Sequence, residues 1–186
     1  MVGVEVVIRE VEACDVPAVA AIYGHHVLNG FGSFEETPPS AEDIARRIAS
    51  VQALGLPYLV ADDDGVIGFA NASSFRPRPG YRFTAEDSVY VAKDATGRGV
   101  GRALLQAVID RCAHMGLRQL MAIIGDSGNT ASIGLHQALG FSRIGVARNV
   151  GYKHGRWVDI VWMQRALRDD AISAPDSAGL RLTGGW

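Results

Sequence analysis

The chain has 186 residues, 48% of them apolar, and 18 basic against 20 acidic side chains leave a formal charge of −2. That suffices for one sizeable core, and the lack of basic blocks excludes the electrostatic footprint of a nucleic-acid binder. The opening "MVGVEVVIREVEACD" is interrupted by Glu5 and Arg9 and is too short and too charged for a signal peptide or membrane span, so a cytoplasmic location is expected.

Residues 4–10, "VEVVIRE", alternate and are rich in β-branched side chains, which predicts a strand. A helix is predicted over 14–29, with Asp15 able to cap, Pro17 in the first turn, and Val16, Val19, Ala20 and Tyr23 on one face. "GFGSFEETPP" interrupts, and Ser40–Asp43 then has capping-box spacing for a second helix ending at Gly55. "PYLVAD" and "VIGFANASSF" read as strands joined by the hairpin turn "DDDG". The polar stretch "RPRPGYRFTAED", residues 76–87, reads as a loop leading into the strand "SVYVAK". A helix over 100–115, a strand over 117–125, a helix over 129–139 and strands over 141–150 and 156–167 complete the pattern. The expectation is a single domain over 1–168 with a mobile tail over 169–186. This order implies an α/β fold with a central mixed sheet, and the crossover at residues 88–124 requires a parallel pair.

Cys14 and Cys112 lack CxxC spacing and read as buried thiols, while His25 and His26 point to different helix faces, so no metal is expected. Gly97, Gly99 and Gly101 alternate immediately before an apolar helical pattern. They do not form G-x-G-x-x-G, since Leu104 occupies the third site counted from Gly99, and no Lys-Ser/Thr follows as a P-loop demands. What survives is either a tight turn or an anion site at a helix N-terminus, where free N–H groups and the dipole converge.

"SVYVAKDATGRGVGRALLQAVIDRC" resembles the acyl-CoA-binding motif of the GCN5-related N-acetyltransferases (GNAT), with Thr96 at the position where relatives carry Arg or Gln. The resemblance implies their seven-stranded mixed sheet flanked by about four helices, and acetyl-CoA as cosubstrate. It implies a splay after the fourth strand, with the backbone of Val89, Tyr90 and Val91 meeting the pantetheine arm. Gly97, Arg98, Gly99, Val100, Gly101 and Arg102 would cradle the pyrophosphate. Asn129 and Ser132, at the start of the next helix, would complete the coenzyme site. Asn129, Ile133 and His136 fall at i, i+4 and i+7 and should share a face.

"FRPRPGYRFTAEDSVYV", "LHQALGF" and "GYKHGRWVDIVWMQ" narrow the resemblance to N-acetyltransferases of phosphinothricin, methionine sulfone and methionine sulfoximine. It implies a small amino-acid acceptor and a homodimer. Glu86 matches their general base and His136 replaces the superfamily's tyrosine acid. Asp87 reads as a solvated loop carboxylate. Arg76, Arg78 and Tyr81 match the substrate loop and Phe34 the pocket-wall aromatic. Another amine acceptor, such as a polyamine, aminoglycoside or peptide N-terminus, and a non-catalytic acyl-CoA sensor remain the alternatives.

Overall fold

The computed structural model describes residues 6–170 and 172–182, so Val4 and Glu5 of the first predicted strand, and Ala171 and 183–186 of the tail, lie outside the described residues. The strands are β1 (Val7–Glu10), β2 (Tyr58–Asp62), β3 (Val66–Ser74), β4 (Thr84–Val91), β5 (Gln119–Gly125), β6 (Ser142–Lys153) and β7 (Arg156–Ala166). The helices are α1 (Val16–Asn29), α2 (Ala41–Ala53), α3 (Val100–His114) and α4 (Thr130–Ala138). One sheet runs β1-β2-β3-β4-β5-β7-β6, and β4 pairs with β5 in parallel while its other neighbouring pairs are antiparallel.

Alternation along β3 separates the two faces of the sheet. The Phe69 ring meets Tyr23 of α1, while a Cβ on neighbouring Gly68 would touch Leu104 and Val100 of α3. Helices α1 and α2 therefore cover one face, and α3 with α4 the other. The helix α3 forms because Val100, Leu104, Leu105, Val108, Ile109 and Cys112 recur at helical spacing and all become buried. Truncating Leu104, which has no exposed surface, to Ala would cost about 2–5 kcal/mol. Ser40 caps α2 as its spacing predicts: its hydroxyl accepts from Asp43 N–H at 3.1 Å and Asp43 returns a bond to Ser40 N–H.

Several expectations need correction. Asp15 precedes α1 but does not cap it; its carboxylate accepts from Glu12 N–H and bonds Arg9, which raises the competing demand on both oxygens. Cys14 is exposed; only Cys112 is buried. The strand β4 begins at Thr84, so Glu86 and Asp87 are strand residues rather than loop residues, held by β3 on one side and β5 on the other. Two adjacent carboxylates weaken the apolar alternation by which a strand is recognised, and only the flanking strands supply the missing support.

The tail is not free over its described part. Leu180 is 5% exposed within the core and donates its N–H to Arg82 O at 2.8 Å, while the buried Arg118 bonds Asp170 and Asp176. The weak periodicity of the described residues among 168–182 reflects irregular backbone, which Leu180 anchors in the core with Leu182 packed against it. Among the described residues no helix is long and apolar enough to cross a membrane, and no group of three or more His, Cys, Asp or Glu could hold a metal ion.

Candidate active site

The parallel register of β4 and β5 runs only from Thr84↔Gln119 to Asp87↔Ala122. Beyond it, residues 88–91 stay paired with β3 and residues 123–125 with β7, so the two strands part and turn unpaired edges towards each other. Buried strand edges need hydrogen-bond partners, and this one opens into a cleft of about 500 Å³. Its walls are Asp87–Val91 of β4, Ala122–Gly125 of β5, the glycine loop with the first turn of α3, the inner face of α4, and His26 with Gly30–Gly32 after α1. The carbonyl of Val91 already meets His26 Nε2 at 2.9 Å, so it is the least available of the three expected backbone contacts.

The glycines have separate reasons to be glycine. Gly97 and Gly99 have φ of +77° and +83° with open space around them, so their backbone conformation and not crowding excludes a side chain. Gly99 is the N-cap of α3, and the first-turn amides of Val100, Gly101 and Arg102 border the cleft without helical partners. A Cβ on Gly101 would lie 3.4 Å from Leu135 and 3.5 Å from Val91, ordinary contacts that place this residue where α3, α4 and β4 converge. Arg102 lines the cleft. Arg98 does not: its guanidinium is held by Asp63 in the β2–β3 turn at 2.5 Å.

Asn129 caps α4, its Oδ1 accepting from Ser132 N–H at 3.1 Å, and Asn129, Ser132, Leu135 and His136 face the cleft. Ile133 packs on the core instead: the cleft-lining Asn129, Ser132, Leu135 and His136 centre the cleft face on the i+3 side of Asn129, which leaves i+4 at its border. His136 is 2% exposed. Its Nδ1 stands 2.7 Å from Ser132 O, which can only accept, so Nδ1 carries hydrogen. Its Nε2 stands 3.0 Å from Asp87 Oδ2. Asp87 is thus a buried partner of His136 and not a solvated loop carboxylate. Burial lowers the histidine's affinity for a proton, but the bond and charge of Asp87 outweigh it and raise the pKa; burial raises Asp87 as well, so the pair resists losing its shared proton. Neighbouring Cys112 is pushed up to about 12 by burial, with Asp87 adding to the effect.

Glu86 points to the opposite face, because successive strand residues alternate. It is half-buried, and burial lifts its pKa above the ordinary glutamate value against the opposing charge of Arg76. Arg76 lies 4.6 Å from the Phe75 ring centroid and 5.8 Å from that of Trp162, and Tyr81 meets Phe75 edge-on at 5.6 Å. The structure therefore gathers Glu86, Arg76 and Tyr81 at one end of β4, with Arg78 opening the 79–81 turn. Phe34 is elsewhere: it is 41% exposed and lies over Gly151 of β6, where a Cβ would fall 1.8 Å from its ring. Phe31, with Tyr90 of β4, lines the cleft instead.

A second cavity of about 470 Å³ on the α2 side shares Ser88 and Tyr90 with the cleft. At its rim Tyr23 OH bonds Ser33 Oγ and Glu35 Oε1, both at 2.9 Å, and Arg47 pairs with Glu35 at 2.7 Å. Sequence reasoning missed this network, as it missed Asp87, Phe31 and Gly125; strand alternation across "ED" was the one available signal, for Asp87.

Residues 8–162 match the family described as an acetyltransferase (GNAT) domain. A phosphinothricin N-acetyltransferase of Alcaligenes faecalis is 52% identical over 181 residues, covering 94% of this chain and 92% of the relative. An L-methionine sulfoximine/L-methionine sulfone acetyltransferase of Pseudomonas aeruginosa is 44% identical over 173 residues, covering 90% and 98%. Among solved structures, a GNAT superfamily phosphinothricin acetyltransferase from Sinorhizobium meliloti, in complex with acetyl-CoA, superposes with a TM-score of 0.90 at 42% identity, covering 96% of this chain and 97% of that one.

Proposed function

The chain belongs to the GNAT acetyltransferases, and from that premise we propose that it moves the acetyl group of acetyl-CoA to the α-amino group of a small amino acid of the phosphinothricin, methionine sulfone or methionine sulfoximine kind. The observation that carries the reading is the parting of β4 from β5 beside the amides of the α3 N-terminus, with Glu86 on the sheet face opposite Asp87 and His136. A long acyl carrier entering along the unpaired edges and an amine approaching from the Glu86 side would meet at Ser88, which borders both cavities.

Each residue then has a task. The amides of residues 97–102 and the helix dipole hold the pyrophosphate, the edge of Val89 and Tyr90 holds the arm, and Asn129 and Ser132 close the site from α4. A free α-amino group is largely protonated at neutral pH, so a base must take its proton before it can attack. Glu86 is that base; partial burial makes it a stronger one than a solvated glutamate. The N–H of Val89 or Tyr90 stabilises the oxyanion that forms as nitrogen adds to the thioester. His136 is the proton donor to the departing sulfur, and its Nε2 must exchange Asp87 for sulfur to act. Arg76, Arg78 and Tyr81 read the carboxylate and the oxidised tetrahedral group, both rich in acceptors. The exposed Val150, Tyr152 and Trp157 of the β6–β7 hairpin support a homodimer through that edge.

Thiol release from acetyl-CoA, followed for wild type and Glu86→Gln with the three amino acids, spermidine and an N-terminal peptide, tests the proposal. We expect turnover of the sulfur and phosphorus amino acids, lowered about 10²–10⁴-fold by the substitution without loss of acetyl-CoA binding. Turnover of spermidine or peptide alone would overturn the acceptor class, and binding without turnover would make the chain a sensor.

A further inference from the structure

Asp87 is buried at the apex of the cleft, the last residue of β4 that still has a β5 partner. His136 fixes its Oδ2 at 3.0 Å, and His136 is in turn fixed by Ser132 O at 2.7 Å and by the edge of Phe141, whose ring centroid is 5.0 Å away. The carboxylate is therefore held through Oδ2, and its second oxygen, Oδ1, is buried with no hydrogen-bond partner among the described residues. A buried carboxylate oxygen left bare is costly, and folded proteins rarely retain one. The nearby side chains offer it nothing: Ala122 lies opposite on β5, and the Cys112 thiol is a weak donor at most.

We propose that Asp87 Oδ1 is a ligand-binding atom, accepting a hydrogen bond from an amide N–H at the inner end of the pantetheine arm. The inference rests on acetyl-CoA occupying the cleft and adds a contact made by a side chain where the rest of the arm would be met by backbone. A carboxylate accepts and cannot donate, which restricts its partner to a donor. Acetyl-CoA carries no S–H, so the donor present before transfer is N–H. His136 acquires a second task, that of a positioning residue aiming Oδ1 into the cleft.

The Asn variant is the informative control. In Asp87→Asn no carboxylate favours a second ring proton, so with the hydrogen kept on Nδ1 by Ser132 O the amide NH2 can donate to His136 Nε2, and Asn Oδ1 keeps the place of the carboxylate oxygen. Calorimetric affinity for acetyl-CoA should stay within about threefold of wild type in Asp87→Asn and fall about tenfold or more in Asp87→Ala, the range expected for a bond to a charged acceptor. An acetyl-CoA analogue with an ester in place of the inner amide should bind wild type more weakly and Asp87→Ala no more weakly than acetyl-CoA does.

Equal binding of the ester and amide by wild type would overturn the proposal even if Asp87→Ala failed to fold, and so would an ester penalty that survives in Asp87→Ala. Free CoA binding much more tightly than acetyl-CoA, with only that excess lost in Asp87→Ala, would move the contact to the thiol and overturn the amide assignment. Should wild type bind no acetyl-CoA at all, the proposed function falls first; should it bind and turn over while Asp87→Ala binds equally well, only this inference falls.

Discussion

Replacing Gly125 with Ala should damage turnover more than stability. Gly125 ends β5 and lines the cleft, and the connector after α1 crosses directly over it: an added Cβ would lie 1.9 Å from Phe31 O and 3.3 Å from Gly32 Cα. Backbone oxygen does not yield as a side-chain tip does, and relieving the overlap to the 3.0 Å that Cβ contacts respect moves the Phe31–Gly32 segment outward by just over 1 Å. The connector is a loop on the surface of the domain, so the overpacking should cost about 1–3 kcal/mol. The same displacement withdraws the Phe31 wall from the reacting end of the cleft, and misplacement of that size is worth up to about 100-fold in rate. Steady-state kcat/KM and a urea midpoint measured on one preparation separate the two effects. Gly134→Ala on α4 is the comparator: nothing lies within 4 Å of its Cβ position and its φ is ordinary, so it should gain about 0.5–1 kcal/mol. Wild-type kcat/KM in Gly125→Ala would refute the reasoning, because it would mean that the wall can move 1 Å without consequence.

The pH profile provides a further test. A base works when deprotonated, and burial raises the pKa of Glu86, so the acid limb of kcat should lie above the ordinary glutamate range, with activity rising as pH rises through it. Arg76 holds that pKa down, so Arg76→Gln should move the limb to higher pH; a limb that stays in place or moves down would separate Arg76 from Glu86. For the tail, Leu180→Ala should cost about 2–3 kcal/mol and expose residues 169–182 to limited proteolysis, and an unchanged melting temperature would mean that the segment does not contribute to the core.

Most of the fold was legible because its signals are local. The capping box at Ser40, the glycine stop at Gly55 and the apolar spacing of α3 each depend on neighbours within a turn or two, and each stands where the sequence places it. The start of β4 was not legible, since Thr84–Asp87 reads as polar chain until β3 and β5 are brought to either side. The spacing of the glycine loop left a tight turn and an anion site both open, and it could not distinguish Arg102, which borders the cleft, from Arg98, which Asp63 draws away across a distance of 35 residues.

For the candidate site, sequence alone determined the chemistry available: a carboxylate at Glu86, a histidine four residues before the Gly140–Phe141 pair, and a glycine turn opening a helix. Tertiary structure decided which of these groups meet. The pairing of Asp87 with His136 joins residues 49 apart, the seating of Phe31 over Gly125 and of Phe34 over Gly151 depends on where a loop crosses the sheet, and the docking of Leu180 depends on a groove made by other segments. Local pattern fixes a residue's direction along its own element, whereas burial, and with it the protonation of a buried carboxylate, is set by whatever the rest of the chain places opposite.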